Sequence, residues 1–174
     1  MLIEERTVAD ADLAGLLDAA FAELVRRYGA EGRSVVKAGA RYLIAYAGDR
    51  GAGCGAIQPA GSDMGELKRM YVEPEFRGRG IARMLLAALE DLARDMGYQT
   101  VRLATGVKQP EAIALYEDSG YVRVEPYGMY ANQPLTRCYE KALGPDPGSA
   151  ALLEGEPASS RTAPSSACRV GKCR

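Results

Sequence analysis

The run 66–97 constrains this 174-residue chain most, because two different periodicities meet there across a pair of glycines. Residues 66–72, which end on Met70, Tyr71 and Val72, read as a strand. From Ile81 the apolar residues Ile81, Met84, Leu85, Ala88, Leu89, Leu92, Ala93 and Met96 recur with a helical period. Arg83, Glu90, Asp91, Arg94 and Asp95 fall on the opposite, water-facing side, and Gly97 ends the helix. A strand passing through a glycine-containing loop into an amphipathic helix predicts a layered structure with a sheet at its centre.

The flanking segments extend that pattern. Residues 2–6 fit a short strand, and Thr7 followed by Asp10 opens a helix to about Tyr28. Leu13, Leu16, Leu17, Ala20 and Leu24 share one face of it, with its arginines and acids facing outward. Residues 29–39 are ambiguous. Strands follow at 42–47 and 53–59, joined by the turn Gly48-Asp49-Arg50-Gly51. After the central strand and helix come a strand at 100–105 and a helix at 110–119, opened by Pro110 and closed by Gly120. Strands at 121–125 and 136–143 complete the order β-α-β-β-β-α-β-α-β-β, an α/β chain with a mixed sheet and helices on both faces.

Composition narrows the chemistry. A net charge of -1 supplies no whole-molecule field for nucleic acid or an anionic membrane, so any anion site must be local. The longest apolar run is six residues, against the roughly 20 needed to span a bilayer. With no histidine, Ser-His-Asp and Cys-His pairs, imidazole bases and His metal sites are all excluded. The four cysteines include no CxxC pair, so no metal is expected, and Cys54 and Cys138 read as small core residues. The first ten residues carry acids and no apolar signal region, which predicts a cytoplasmic location with free thiols. From Gly144 onward 31 residues contain four Gly, four Pro, five Ser and five Ala and no aromatic, so 1–143 is expected to be the folded domain and 144–174 a flexible tail.

The loop after the central strand carries Arg77, Gly78, Arg79, Gly80, Ile81 and Ala82. Small residues ahead of a helix N-terminus expose amides that suit phosphate oxygens, although a plain strand-to-helix turn looks the same. A dinucleotide fingerprint fails because Arg83 stands where the third small residue is needed, and there is no GxxxxGK. The loop instead matches [Arg/Gln]-x-x-Gly-x-[Gly/Ala]. Together with ELKRMYVEPEFRGRGIARMLL and QPEAIALYEDSGY it resembles the GNAT superfamily of N-acetyltransferases over roughly residues 2–143. The resemblance implies acetyl-CoA as co-substrate, its pyrophosphate gripped by Arg77 to Ala82. Its pantetheine arm would lie along Met70, Tyr71 and Val72 in a gap between diverging central strands. Gln109, where the family often has Asn, is placed beside that arm.

Two side chains carry the expected chemistry. The resemblance puts Tyr116 near the thioester sulfur, where a phenol of pKa ~10 can protonate a departing thiolate; equally, Tyr116 can be a core aromatic on the face shared with Ala112 and Ser119. Glu66 resembles in position the strand glutamate that acts as base in histone-acetylating members, and by simple alternation it shares strand parity with Met70 and Val72. A solvent-facing strand-start charge, with water as the relay, is the other reading. The loop 126–134, with Tyr127, Met129 and Tyr130, either walls the acceptor pocket or covers a sheet edge. The expected activity is direct acetyl transfer to a small-molecule primary amine, with a protein lysine or N-terminus, or a non-catalytic acyl-CoA sensor, as alternatives. A homodimer is expected, with no nucleic acid or membrane partner.

Overall fold

The computed structural model describes residues 1–29 and 35–144. The expected tail, apart from Gly144, lies outside the described residues, as do Cys168, Cys173 and part of the ambiguous stretch 29–39.

The elements are β1 (Leu2–Arg6), α1 (Ala11–Tyr28), β2 (Arg41–Ala47), β3 (Arg50–Pro59), β4 (Met64–Val72), α2 (Ile81–Asp95), β5 (Thr100–Gly106), α3 (Pro110–Asp118), β6 (Val122–Val124) and β7 (Thr136–Ala142). The predicted order holds throughout. The Asp10 carboxylate caps α1, accepting from the Leu13 amide at 3.0 Å. The β2–β3 turn is tighter than expected: Gly48 and Asp49 alone make it, and Arg50 already belongs to β3.

The described strands form one mixed sheet in the order β1-β2-β3-β4-β5-β7-β6, antiparallel except for β4 against β5. On one face α1 buries Leu13 and Leu16 against Tyr42, Ile44, Tyr46, Cys54 and Ala56. On the other, α2 and α3 bury Ile81, Leu85, Leu86, Leu89 and Tyr116 against Leu43, Ile57, Leu67, Val101, Leu103 and Tyr139. Gly55 lets α2 press onto the sheet, since a Cβ there would lie 2.5 Å from Leu89 Cδ1. Helices therefore cover both faces. Glu90 departs from expectation: it is 7% exposed, and Lys141 from β7 reaches its two oxygens at 2.7 and 2.9 Å. A partner across the sheet edge turned an apparently water-facing position inward.

The expected parity of β4 is also corrected. Cys54 pairs with Tyr71 but Ala56 pairs with Lys68, so β4 holds one residue more than β3 over that interval. This is a β-bulge, with Arg69 in the left-handed region at φ 58°. Alternation restarts after it. Glu66 and Lys68 face α1 together with Tyr71, whereas Leu67, Met70 and Val72 face α2. Glu66 is thus on the opposite face from Met70 and Val72.

Candidate active site

Strands β4 and β5 pair over three positions only, Met64↔Thr100, Gly65↔Val101 and Glu66↔Arg102. β4 continues to Val72 and β5 to Gly106, with β3 and β7 paired along their outer sides. Beyond Glu66 and Arg102 the two strands part, and their facing peptide groups have no partner strand. Such a wedge offers main-chain donors and acceptors to an extended amide-containing ligand. Met70 and Tyr71 line it from β4; the Val72 carbonyl already accepts Arg77 Nε at 2.8 Å.

At the far end of β4 the chain makes a short 3-10 turn at Pro74–Phe76 and enters α2 through Arg77 to Gly80. Gly80 caps α2 in the left-handed region, φ 78° and ψ 4°, with no side-chain cap. The first intrahelical bond runs from the Met84 amide to the Gly80 carbonyl at 3.1 Å, leaving the amides of Ile81, Ala82 and Arg83 without intrahelical partners. A Cβ built at Gly78 or Gly80 meets nothing within 4 Å, so open space lies over these amides. Open space, unpaired amides and the positive end of the helix dipole together fit a pyrophosphate. Arg79 folds back onto the loop, donating to the Glu75 carbonyl at 3.1 Å.

The Arg77 guanidinium stacks on Tyr71 and donates to Glu23 at 2.5 Å. Glu23, expected simply to face outward on α1, also holds Arg27 at 2.6 Å. Arg27 in turn reaches Glu111 on α3 at 2.6 Å and the Lys108 carbonyl at 2.9 Å. The Lys108 amide donates to the Tyr28 hydroxyl at 2.8 Å, and that phenol covers Gly106. The C-terminal end of α1 thereby bridges the far ends of β4 and β5, where the strands no longer touch. Sequence reasoning missed this network.

Tyr116 is 5% exposed and packs edge-on against Tyr121, ring centroids 5.7 Å apart. Burial pushes its phenol well above the usual tyrosine value. Gln109 stands at the N-cap of α3, its side-chain oxygen 3.4 Å from the Gly106 amide at the end of β5. Tyr116 belongs to the α2 face and Glu66 to the α1 face, so the two catalytic candidates lie on opposite sides of the sheet.

Glu66 is 3% exposed and surrounded by donors. Its Oε1 accepts from Lys68 Nζ at 2.9 Å and the Tyr127 hydroxyl at 3.4 Å, and its Oε2 from Gln58 Nε2 at 3.3 Å. Arg102 Nη2 stands 3.8 Å from Oε2. Lys68 Nζ also donates to the Tyr130 hydroxyl at 2.5 Å, and Tyr127 packs edge-on against Tyr130. The loop bearing both tyrosines thus covers the α1 face beside the wedge. A solvent-facing Glu66 is excluded. The signal for Lys68 was present in the sequence, since a charge two residues after Glu66 on a strand shares its face. Arg102, in the apolar run of β5, gave the same kind of signal.

The two cysteines among the described residues are both fully buried, and burial pushes the Cys54 thiol up to about 12 and raises that of Cys138. Neither presents a thiolate nucleophile. Among the described residues no group of His, Cys, Asp and Glu could hold a metal ion, and no helix is long and apolar enough to cross a membrane.

Residues 13–121 match the model of the Acetyltransferase (GNAT) family. The IAA acetyltransferase of Azospirillum brasilense is 40% identical over 112 residues, covering 64% of this chain and 73% of that protein. The uncharacterized N-acetyltransferase YjgM of Escherichia coli is 35% identical over 49% of this chain and 53% of its own length, so the chain spans only about half of that relative. A Klebsiella pneumoniae structure assigned as an acyl-CoA N-acyltransferase superposes with a TM-score of 0.72 at 32% identity, covering 82% of this chain and 97% of that one. A GNAT acetyltransferase from Elizabethkingia anophelis with acetyl-CoA bound shares the fold at a TM-score of 0.62 and 19% identity, over 82% and 97% of the two chains. With the family match covering residues 13–121, more than half of the chain, and solved members of this fold superposing on it, the chain belongs to the GNAT family of acetyltransferases and is an acyltransferase.

Proposed function

We propose that the chain moves an acetyl group from acetyl-CoA directly to a primary amine, most simply that of a small molecule. The observation that carries this reading is the wedge between β4 and β5, which opens at Glu66 and Arg102 and leads to the uncapped amides of α2. Met70, Tyr71 and Val72 would flank the pantetheine arm on one side and Gln109 on the other. The amides of the loop from Arg77 to Ala82 would hold the pyrophosphate. When bound, acetyl-CoA supplies an activated acetyl thioester. No covalent enzyme intermediate is invoked, because the described cysteines are buried and the chain has no histidine.

The chain's own groups would divide the proton work between the two faces. Tyr116, protonated throughout the physiological range, would supply a proton at its hydroxyl on the α2 face. On the α1 face Glu66 would receive the amine's proton, directly or through water. Its two oxygens already face three donors within 3.4 Å, so a relay requires Gln58 or Tyr127 to give way. The relative named an IAA acetyltransferase supports a small-molecule acceptor. The chain is read as a cytoplasmic homodimer.

A second reading, an acyl-CoA-binding module without turnover, is favoured by the depth of Tyr116 in the core. One experiment separates them: thiol release from acetyl-CoA is followed over a panel of amines while acetyl-CoA binding is titrated. Turnover supports the transferase; binding without turnover supports the sensor.

A further inference from the structure

We propose that Arg102 is an acceptor-recognition residue, and that the amine this chain acetylates carries a carboxylate. This rests on the amine-acetylating function proposed above and names its substrate class.

Arg102 is the last residue of β5 paired to β4, so its side chain stands where the wedge opens, on the α1 face beside Glu66. Its guanidinium lies 3.9 Å from the centre of the Tyr127 ring, and the side chain keeps 21% of its surface exposed. A stacked guanidinium has its plane held while its N–H groups point outward from the edge, the geometry that receives a carboxylate through two parallel bonds. Here that fork is unfilled. Nε is buried with no hydrogen-bond partner, and the carboxylate of Glu66, at 3.8 Å, is too far for a hydrogen bond.

Charge around the fork points the same way. Two cations, Lys68 and Arg102, face the single carboxylate of Glu66, and Lys68 takes the closer position at 2.9 Å. Glu140 stands opposite Arg102 in the β5–β7 register, yet no ion pair joins them among the described residues. A largely buried guanidinium with idle donors is costly unless an anion completes it. Transfer needs the acceptor's nitrogen at the wedge, and Arg102 at its apex is placed to hold a carboxylate on the same molecule.

The test uses matched acceptors with the full-length protein and acetyl-CoA: amino acids of increasing chain length, their primary amides, and an aminoalkyl phosphate. The parent should turn over the acids with a kcat/KM at least tenfold above that of the amides. Arg102→Gln should collapse this ratio toward one by raising the KM of the acids, and Arg102→Lys should fall between. Amides used as well as acids, a preference for the phosphate, or a ratio unchanged in folded Arg102→Gln would each overturn the assignment. Should Arg102→Gln not fold, the parent ratio and Arg102→Lys decide. If no amine is acetylated, the transfer reading fails; equilibrium titration of the acids and amides against acetyl-CoA-saturated protein then tests the anion site alone, and equal binding of the two overturns it.

Discussion

Glu23 holds the guanidinium of Arg77 at 2.5 Å and so ties helix α1 to the loop that leads into α2. Burial alone would raise the Glu23 carboxyl, but Arg77 and then Arg27 hold it below the usual carboxylate value. Glu23→Gln should weaken acetyl-CoA binding several-fold in a titration and cost only about 0.3–1 kcal/mol of stability, as expected for partly exposed pairs. Because the folded-state value is depressed, this contribution is present above the unfolded carboxyl value and is lost as pH falls through the folded one. The Tm difference between parent and variant should therefore shrink below about pH 4.5.

Gly80 is needed for its backbone conformation. At φ 78° an L residue pays roughly 1–2 kcal/mol, although the space around a Cβ is open. Gly80→Ala should raise the KM for acetyl-CoA about tenfold, some 1.4 kcal/mol, and Gly80→Val more. An unchanged KM in a folded Gly80→Ala variant would remove the loop from the cofactor site.

Tyr116→Phe separates acid from packing. Loss of a general acid lowers kcat on the order of 100-fold, whereas a packing hydroxyl is worth about 1 kcal/mol of stability with kcat nearly unchanged. Acetyl-CoA affinity should stay within a few-fold, because the loop amides lie on another element. Full kcat under conditions where chemistry limits the rate would end the acid assignment.

Glu66 carries a structural load separable from any role as base. Glu66→Gln leaves Lys68, its side chain 8% exposed, without its counter-charge, and should destabilise the fold by about 3 kcal/mol. Replacing Lys68 by Met in the same chain should restore most of that loss in a denaturant titration. If the double variant also recovers the parent rate and pH profile, Glu66 is not the base and water carries the proton.

Alkaline stability follows from the buried phenols. Burial raises Tyr116, Tyr121 and Tyr127 above the ordinary tyrosine value, with neighbouring carboxylates adding to the last two. Groups raised in the folded state stabilise it below the unfolded value and lose that contribution as pH climbs toward the folded one. Thermal denaturation should show Tm falling from about pH 10 upward, and Tyr116→Phe should lessen the fall.

The order of strands and helices was readable from periodicity, and the loop from Arg77 to Ala82 from its glycines. The relations hidden from the sequence share one physical cause, dependence on partners far along the chain. Glu23 and Arg77 are 54 residues apart, and Glu90 and Lys141 are 51 apart. No local pattern distinguishes such charges from solvated ones. The β4 bulge escaped for a different reason. Its left-handed position holds Arg69, where a glycine would have marked it, so strict alternation placed Glu66 on the wrong face relative to Met70 and Val72.

That extra residue divides one strand into two segments with opposite phase. Positions before it address the face where an acceptor would lie, and the same odd-even rule read after it exchanges the two faces. Removing a single residue between Lys68 and Tyr71 would abolish the bulge and put the two residues two apart, so that Leu67 would still pair with Ile57 and Tyr71 with Cys54, Tyr71 still facing α1 and Val72 α2. Loss of a residue at this point would therefore remove the added twist beside the wedge while leaving each surface its side chains, whereas point substitutions on either side of it tune one surface without disturbing the other.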